Sequence, residues 1–267
     1  MADDRQRHNG ERRPRSASGW SGSGRGRSAQ PRNTTGDGDR PADNAPPIPP
    51  DVDAKQLAPE IRGELSTLDR ATADAVARHL VAAGELMDED PEAALNHARA
   101  ARARSSRIGA IREAVGIAAY RYGDWAQALS ELRAARRMGS KSPLLPLIAD
   151  CERGLGRPER AIELARGDEA AQLSGDAADE LRIVVAGARS DLGQLEQALA
   201  LLSTPQLDPS RSGSMAARLF YAYADTLLAL GRDDEALQWF LHSAAADIDG
   251  ITDAEDRVGE LGSEEDA

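Results

Sequence analysis

The residues that could hold a metal ion or act as a nucleophile are few in this chain. Its 267 residues include four histidines and one cysteine. His8, His79, His97 and His242 are not spaced from one another, or from Cys151, as metal ligands usually are. Cys151 lies among small and apolar residues, where a cysteine commonly serves as a buried hydrophobic side chain. The spacing of these residues therefore predicts no metal site and no catalytic thiol.

Two other stretches partly match ligand-binding loops. Residues 22–26 are rich in glycine, but no predicted strand precedes them, as one would in a dinucleotide-binding loop. Asp247 and Asp249 precede Gly250, yet the further ligands that a calcium loop needs ahead of its glycine are missing. The sequence also contains no Walker-type phosphate loop. We therefore expect no cofactor and no enzymatic activity.

The charge of the chain is acidic overall and unevenly distributed. The formal net charge is −12, with +3 over residues 1–50 and −8 over residues 247–267. All basic residues except Lys55 and Lys141 are arginine. This balance argues against general affinity for nucleic acid. The frequent Ala, Arg, Gly and Asp are typical of a GC-rich bacterial genome of the actinobacterial type.

The sequence predicts a cytoplasmic protein with no membrane partner. No apolar run approaches the roughly 18 residues of a membrane-spanning helix. The polar start of the chain does not resemble a signal peptide, and a single cysteine fits a reducing compartment.

A change of composition divides the chain near residue 57. Residues 1–56 are rich in Gly, Ser, Arg and Pro and lack hydrophobic periodicity, so we predict a disordered tail there. From Pro59 onward, apolar residues such as Leu65, Leu68, Val76 and Leu80 recur at helical spacing. Because aromatic residues make up only 3% of the chain, alanine and leucine must form most of the core. The pattern indicates an all-α fold.

One sequence motif recurs along the helical part of the chain. It consists of a turn residue, a short polar stretch, and Ala-Leu or Ala-Ile. The turn residues are spaced by 34, 33, 37 and 38 positions; they are Glu89, Gly123, Gly156, Gly193 and Gly231. Small residues flank each turn in both helices and should let the helices approach closely; they are Ala82, Gly116, Ala149, Ala186, Ala224, Ala94, Ala128, Ala161, Ala198 and Ala236.

This repeat resembles the tetratricopeptide family, whose unit has 34 residues. The match is best in the last unit, at Ala217, Phe220, Tyr223, Ala224, Leu227, Gly231, Ala236, Phe240 and Ser243. Three units depart from the family, with Arg78, Leu145 or Arg182 at the usual Trp position. The resemblance covers about residues 75–246. It implies a right-handed α-solenoid of about five tandem helix hairpins, in which each hairpin is stabilised by its neighbours.

The domain boundaries follow from the repeats. We predict a solenoid over residues 57–261, with extra loop residues near 167–174 and 204–213. Its units are 75–108, 109–141, 142–178, 179–216 and 217–250. A short capping helix is expected at 252–261, begun by a capping box from Thr252 to Glu255, and residues 262–267 should form a loose acidic end.

The family resemblance implies a ligand groove lined by the first helix of each unit. The candidate groove residues are His79, Glu113, Ile117, Tyr120, Arg121, Asp150, Arg153, Ile183, Arg218, Tyr221 and Asp225. Two tyrosines, apolar residues and mixed charges could hold an extended or helical peptide. The Lys and Asn with which some family members clamp an acidic C-terminal peptide are absent from these positions. Alternatively, several of these side chains merely pack against the next repeat.

A second candidate surface arises because stacked repeats align equivalent positions. This predicts a basic ridge on the outer face of the second helices, formed by Arg99, Arg102, Arg133, Arg136, Arg137 and Arg166. Such a ridge could meet RNA, an acidic protein or the acidic C-terminal tail of the chain itself. The alternative is a solvated face whose arginines pair with nearby carboxylates.

The favoured function is a non-enzymatic scaffold or adaptor that binds a protein or peptide in the groove. Two alternatives stay open: an RNA- or ribosome-associated accessory factor that uses the basic ridge, and the non-catalytic regulatory subunit of an assembly. The fold alone does not choose among them. Self-association through the ends of the stack also stays open.

Overall fold

A computed structural model describes residues 45–265 of the chain. Most of the predicted disordered tail, including the glycine-rich stretch at 22–26 and His8, lies outside the described residues. Residues 266–267 of the predicted loose end also lie outside them.

Within residues 45–265 the chain is built from α-helices, with one 3₁₀ turn at Ala54–Gln56 and no strand. The helices are α1 (Pro59–Leu65), α2 (Arg70–Glu85), α3 (Pro91–Arg104), α4 (Gly109–Tyr122), α5 (Trp125–Arg137), α6 (Leu145–Gly154), α7 (Pro158–Leu164), α8 (Asp168–Ala171), α9 (Asp176–Asp191), α10 (Leu195–Leu202), α11 (Ser214–Ala229), α12 (Asp233–Ala246) and α13 (Ala254–Glu265). Five antiparallel hairpins pair α2 with α3, α4 with α5, α6 with α7, α9 with α10, and α11 with α12. Each hairpin packs on the next. The predicted all-α stack of about five hairpins is confirmed.

The hairpin turns are specified locally. Gly123, Gly156, Gly193 and Gly231 all have φ between 70° and 88°, a left-handed conformation that costs glycine little. In the second hairpin, the side chain of Asp124 then accepts from the backbone N of Gln127 at 3.0 Å and caps α5. Turn glycine and cap together end one helix and begin the next within a few residues.

The small residues beside the turns are all buried, as predicted. The nine alanines among them are each 0–2% exposed. At Gly116 the two helices approach closely, since an added Cβ would lie 2.7 Å from the Cγ and Cδ2 of Leu132 and 3.1 Å from its backbone N. The larger residues Leu95, Val115, Leu132 and Ile148 fill the space between neighbouring hairpins.

Gly116→Ala is expected to lower the free energy of unfolding by about 1–3 kcal/mol, because the methyl group has no room beside the Leu132 backbone. Gly84→Ala is the matched control. Gly84 lies in α2 with nothing within 4 Å of an added Cβ, so the change should stabilise the chain by about 0.5–1 kcal/mol. Urea unfolding followed by circular dichroism measures both variants. Equal effects of the same sign would contradict the close approach at Gly116.

The structure corrects the predicted N-terminal boundary. Residues 45–56 are folded against the first hairpin, with Val52 only 3% exposed. The Nε atom of Arg78 donates to the carbonyl of Val52 at 3.0 Å, and Ile48 and Leu57 pack on the same apolar cluster as Val52. The reason is that α2 has no preceding repeat to cover it, so this short apolar segment takes that place.

The longer spacing of the later repeats is due to insertions at the predicted places. α8 lies within the first predicted insertion. Residues 203–213 form the second, in which Leu207 is 8% exposed. The backbone N of Gly213 donates to the carbonyl of Ala246 at 2.9 Å, which ties this loop to the end of α12.

The C-terminal helix is present but differs in detail from the prediction. It begins at Ala254 and continues to Glu265, past the predicted end at residue 261. Thr252 is not the residue that directly precedes the helix, and its hydroxyl donates to Asp247 Oδ2 at 2.6 Å. Ala254, Val258 and Leu261 pack with Phe240 against the last hairpin. α13 therefore covers the apolar end of the stack.

Candidate protein-binding groove

We call one surface of the stack the groove face. It is formed by α4, α6, α9 and α11, the first helices of hairpins two to five, and it includes the groove residues predicted on them. α9 packs against both α6 and α11, which brings side chains from successive hairpins side by side. Such an arrangement places residues about 30–40 positions apart within hydrogen-bond distance, as the repeat length requires.

A chain of polar contacts crosses three hairpins on this face. The hydroxyl of Tyr120 donates to Asp150 Oδ2 at 2.5 Å. Nη1 of Arg153 donates to the other oxygen of Asp150 at 3.2 Å, and its Nε donates to Asp191 Oδ2 at 2.6 Å. Burial raises the pKa of Tyr120 well above its usual value, and the adjacent Asp150 raises it further. Tyr120 therefore stays protonated and acts as a donor.

A cleft of about 590 Å³ lies beside these contacts. We call it the Trp125 cleft. Its lining residues are Trp125, Asp150, Arg153, Gly154, Gly156, Pro158 and Asp191. The ring of Trp125 lies over Gly154, where an added Cβ would come within 2.7 Å of it. The wall of the cleft thus includes one indole and three ion-paired side chains, those of Asp150, Arg153 and Asp191.

A second cleft, of about 450 Å³, opens between α9, α11 and the loop before α13. We call it the C-terminal cleft. Its lining residues are Ile183, Arg218, Tyr221, Ala222, Ile251, Thr252 and Asp253. Burial raises the pKa of Tyr221 to about 12, with a contribution from its hydrogen bond to Asp253. Three predicted groove residues, Ile183, Arg218 and Tyr221, are brought together here.

The other predicted groove residues have varied surroundings. Glu113 accepts hydrogen bonds from the hydroxyls of Ser140 and Ser142, both at 2.6 Å. Arg121 and Asp225 are exposed; their ion-pair distances are 3.5 Å to Asp88 and 3.8 Å to Arg257, respectively. Ile117 is half-buried against the core of the second hairpin.

The structure corrects the expectation for His79. Its side chain is 1% exposed and offers no surface to a ligand in a groove. It faces the second helix of its own hairpin, where its Nδ1 lies 3.0 Å from Nδ1 of His97. Burial lowers the pKa of His79 to about 4, assisted by the charges of Arg104 and Arg78.

The predicted basic ridge is largely paired with carboxylates. The four paired arginines and their distances are Arg99 to Asp124 at 3.4 Å, Arg102 to Glu131 at 3.1 Å, Arg133 to Glu152 at 2.5 Å, and Arg136 to Glu169 at 2.8 Å. Arg137 and Arg166 are exposed, with no ion pair among the described residues. Three of these pairs join successive hairpins, and Arg136 pairs with α8 in the first insertion. The paired arginines therefore connect neighbouring repeats and leave a surface of mixed charge.

Two features of this face escaped the sequence argument. Trp125 directly follows the second turn, and an aromatic residue at that place is a signal that the groove prediction leaves out. Residues Ile251–Asp253 are also absent from the predicted groove. Their part in the C-terminal cleft depends on the path of the chain after α12, for which the sequence has no local signal.

Neither Cys151 nor a metal-binding cluster contributes to this face within the described residues. Cys151 is fully buried, and burial raises the pKa of its thiol to about 12. Within the described residues, no group of His, Cys, Asp and Glu could hold a metal ion. In the same part of the chain, no helix is both long and apolar enough to cross a membrane.

Comparison with known families gives a match to part of the chain. The family model described as Tetratrico peptide repeat matches residues 148–251. The matched segment begins within α6, contains hairpins four and five, and ends at Ile251 in the C-terminal cleft. No curated protein matches the chain. Repeats of this type generally bind protein partners. Residues 148–251 are therefore similar to tetratricopeptide repeats.

Proposed function

We propose that this chain is a non-enzymatic scaffold or adaptor that binds a peptide or protein partner on its groove face. The observation that carries the proposal is the pair of open clefts on that face, within repeats of a type that generally binds proteins. Each cleft has a volume in the range of ordinary ligand sites. Each also presents an aromatic ring beside polar side chains, a combination enriched at protein interfaces.

The outer face supports the alternative RNA-binding function less well. Four of its six ridge arginines already have a carboxylate partner in the chain, so a phosphate would have to displace a formed ion pair. The single buried cysteine is compatible with a reducing compartment, and we place the protein in the cytoplasm on that ground.

Affinity capture with the full-length chain as bait, from a lysate of its native cells, tests this proposal. A protein partner should be retained after nuclease treatment and at moderate salt. It should be lost with Arg153→Gln or Tyr221→Ser, each of which changes the wall of one cleft. Arg160→Gln is the matched control, because Arg160 is 66% exposed on a second helix and pairs only with Glu163.

Other outcomes assign other functions. Recovery of RNA that disappears with nuclease or with rising salt would move the function to the outer arginines, since phosphate contacts weaken steeply with salt. A partner that resists both cleft substitutions would contradict binding on the groove face.

A further inference from the structure

The C-terminal cleft combines an apolar floor with an open mouth. Its floor is formed by Ile183, Ala222 and the ring of Tyr221, and Ile251 stands at its edge. Ile251 is 48% exposed, although burial of a large aliphatic side chain is favourable. The position of Ile251 leaves room for an apolar side chain from a partner to cover it.

The charge available at the rim of this cleft is negative. Arg218 is the only basic residue in its lining, and both its terminal nitrogens donate to the carboxylate of Glu180, Nη2 at 2.7 Å. Asp253 lines the cleft and is exposed, and Asp225 is exposed one helical turn from Tyr221. A ligand therefore meets two exposed carboxylates and a guanidinium that is already paired. Asp253 accepts a hydrogen bond from Tyr221, and Asp225 lies 3.8 Å from Arg257.

The surroundings extend this negative field. Residues 225–260 contain ten acidic residues and two arginines. A concentration of one sign of charge around a cleft attracts and orients partners of the opposite sign. Basic side chains on either side of an apolar one would therefore complement both the rim and the floor.

We propose that the C-terminal cleft docks a basic partner segment that inserts one apolar side chain between Tyr221 and Ile251. This inference rests on the proposed groove function and states the chemistry of the partner. The apolar side chain lies on the floor formed by Ile183 and Ala222, and flanking Lys or Arg residues lie at Asp253 and Asp225. Because Arg218 is already paired with Glu180, it attracts acidic segments less strongly than the exposed carboxylates attract basic ones.

Binding of fluorescein-labelled model peptides to the full chain, measured by fluorescence anisotropy, tests the inference. The probe is a short peptide of lysine and glycine with one central leucine. The comparison peptides have serine in place of leucine, or glutamate in place of each lysine. We expect the leucine–lysine peptide to bind about tenfold more tightly than the serine peptide or the glutamate peptide. Loss of an anchoring side chain at an interface typically weakens binding by about this factor. Its affinity should fall as salt rises.

Matched variants locate the binding. Ile251→Ser should weaken the leucine–lysine peptide about tenfold. Ile248→Ser should have no effect, because Ile248 is 77% exposed in the same loop but does not line the cleft. Asp225→Asn combined with Asp253→Asn should weaken binding and reduce its salt dependence. Circular dichroism checks that each variant is folded.

Several results would overturn this inference. They are tighter binding of the glutamate peptide, equal effects of the two isoleucine variants, or no binding of the leucine–lysine peptide. Sedimentation showing that Ile251 mediates a dimer would assign the cleft to a second copy of the chain. If lysate capture still depends on Arg153 while any of these results is found, the groove function stands and only the partner chemistry assigned to this cleft falls.

Discussion

Phe240→Ala should lower the stability of the last hairpin by about 3–5 kcal/mol, the usual cost of removing a buried aromatic side chain. Phe240 is fully buried. Its ring meets the edge of Tyr221, with centroids 5.2 Å apart, and lies 5.4 Å from the guanidinium carbon of Arg257 in α13. The side chain thus joins α11, α12 and α13, and its loss leaves a cavity between all three.

Because stacked repeats are stabilised by their nearest neighbours, the loss should be local. Hydrogen exchange is expected to quicken in α11, α12 and α13 while α2–α5 keep their protection. Leu241→Ala is the matched control. Leu241 follows Phe240 in the sequence, but its side chain is 43% exposed, so its loss should change stability by less than about 0.5 kcal/mol. Uniformly faster exchange along the whole chain would show a single cooperative unit and contradict nearest-neighbour stacking.

The free energy of unfolding should fall as the pH decreases from 7 towards 5, and the buried pair His79–His97 should account for much of the slope. Burial lowers the pKa of both histidines in the folded chain, that of His79 from 6.5 to about 4. Between pH 6.5 and about pH 4 the unfolded chain binds more protons at His79 than the folded chain does. The free energy of unfolding therefore decreases as the pH falls through this range. Full protonation of His79 would cost about 3 kcal/mol on this basis.

The geometry of the pair gives a second reason for the same sign. With Nδ1 atoms 3.0 Å apart, one ring must donate and the other accept. Protonation of the accepting nitrogen turns it into a donor and removes the bond. The positive charges of Arg78 and Arg104 also oppose a charge on His79. The first hairpin, which this pair joins at its centre, should loosen first.

Urea unfolding at pH 7, 6 and 5 measures this dependence. The double variant His79→Gln, His97→Gln replaces the imidazoles with neutral amides that can still donate and accept. It should have a flatter dependence on pH than the wild type over this range. His242→Gln, a histidine outside the pair that lies against Trp239, controls for the loss of a ring. An unchanged slope in the double variant would show that the pair does not control the response.

The sequence predicted the fold correctly because the repeats are defined by local rules. Gly123 and Gly231 end helices through their own φ angles, and alanines such as Ala128 and Ala236 are small enough for helices to touch. Both properties belong to single residues and recur at a fixed period. The periodic pattern therefore determined the element types, the hairpin pairing and the stacking of neighbours.

The candidate surfaces followed from the sequence less completely. Equivalent positions do align, yet alignment does not say what each side chain contacts. Arg133 reaches Glu152 on the next hairpin, and His79 turns inward to His97. Charge pairing and burial depend on the rotamer and on residues of another helix, which no periodic pattern specifies.

The sequence by itself determined an all-α stack of helix hairpins, since turn glycines, capping residues and small side chains act over a few residues. Only the tertiary structure decided which side chains are available to a partner. Ile183 and Ile251 are far apart in sequence, and they line one cleft because the chain turns back over α11 after α12. In the same way, residues 45–56 are ordered only because α2 presents them with an uncovered apolar face. Such contacts depend on where distant segments meet, and that is decided by packing of the whole stack.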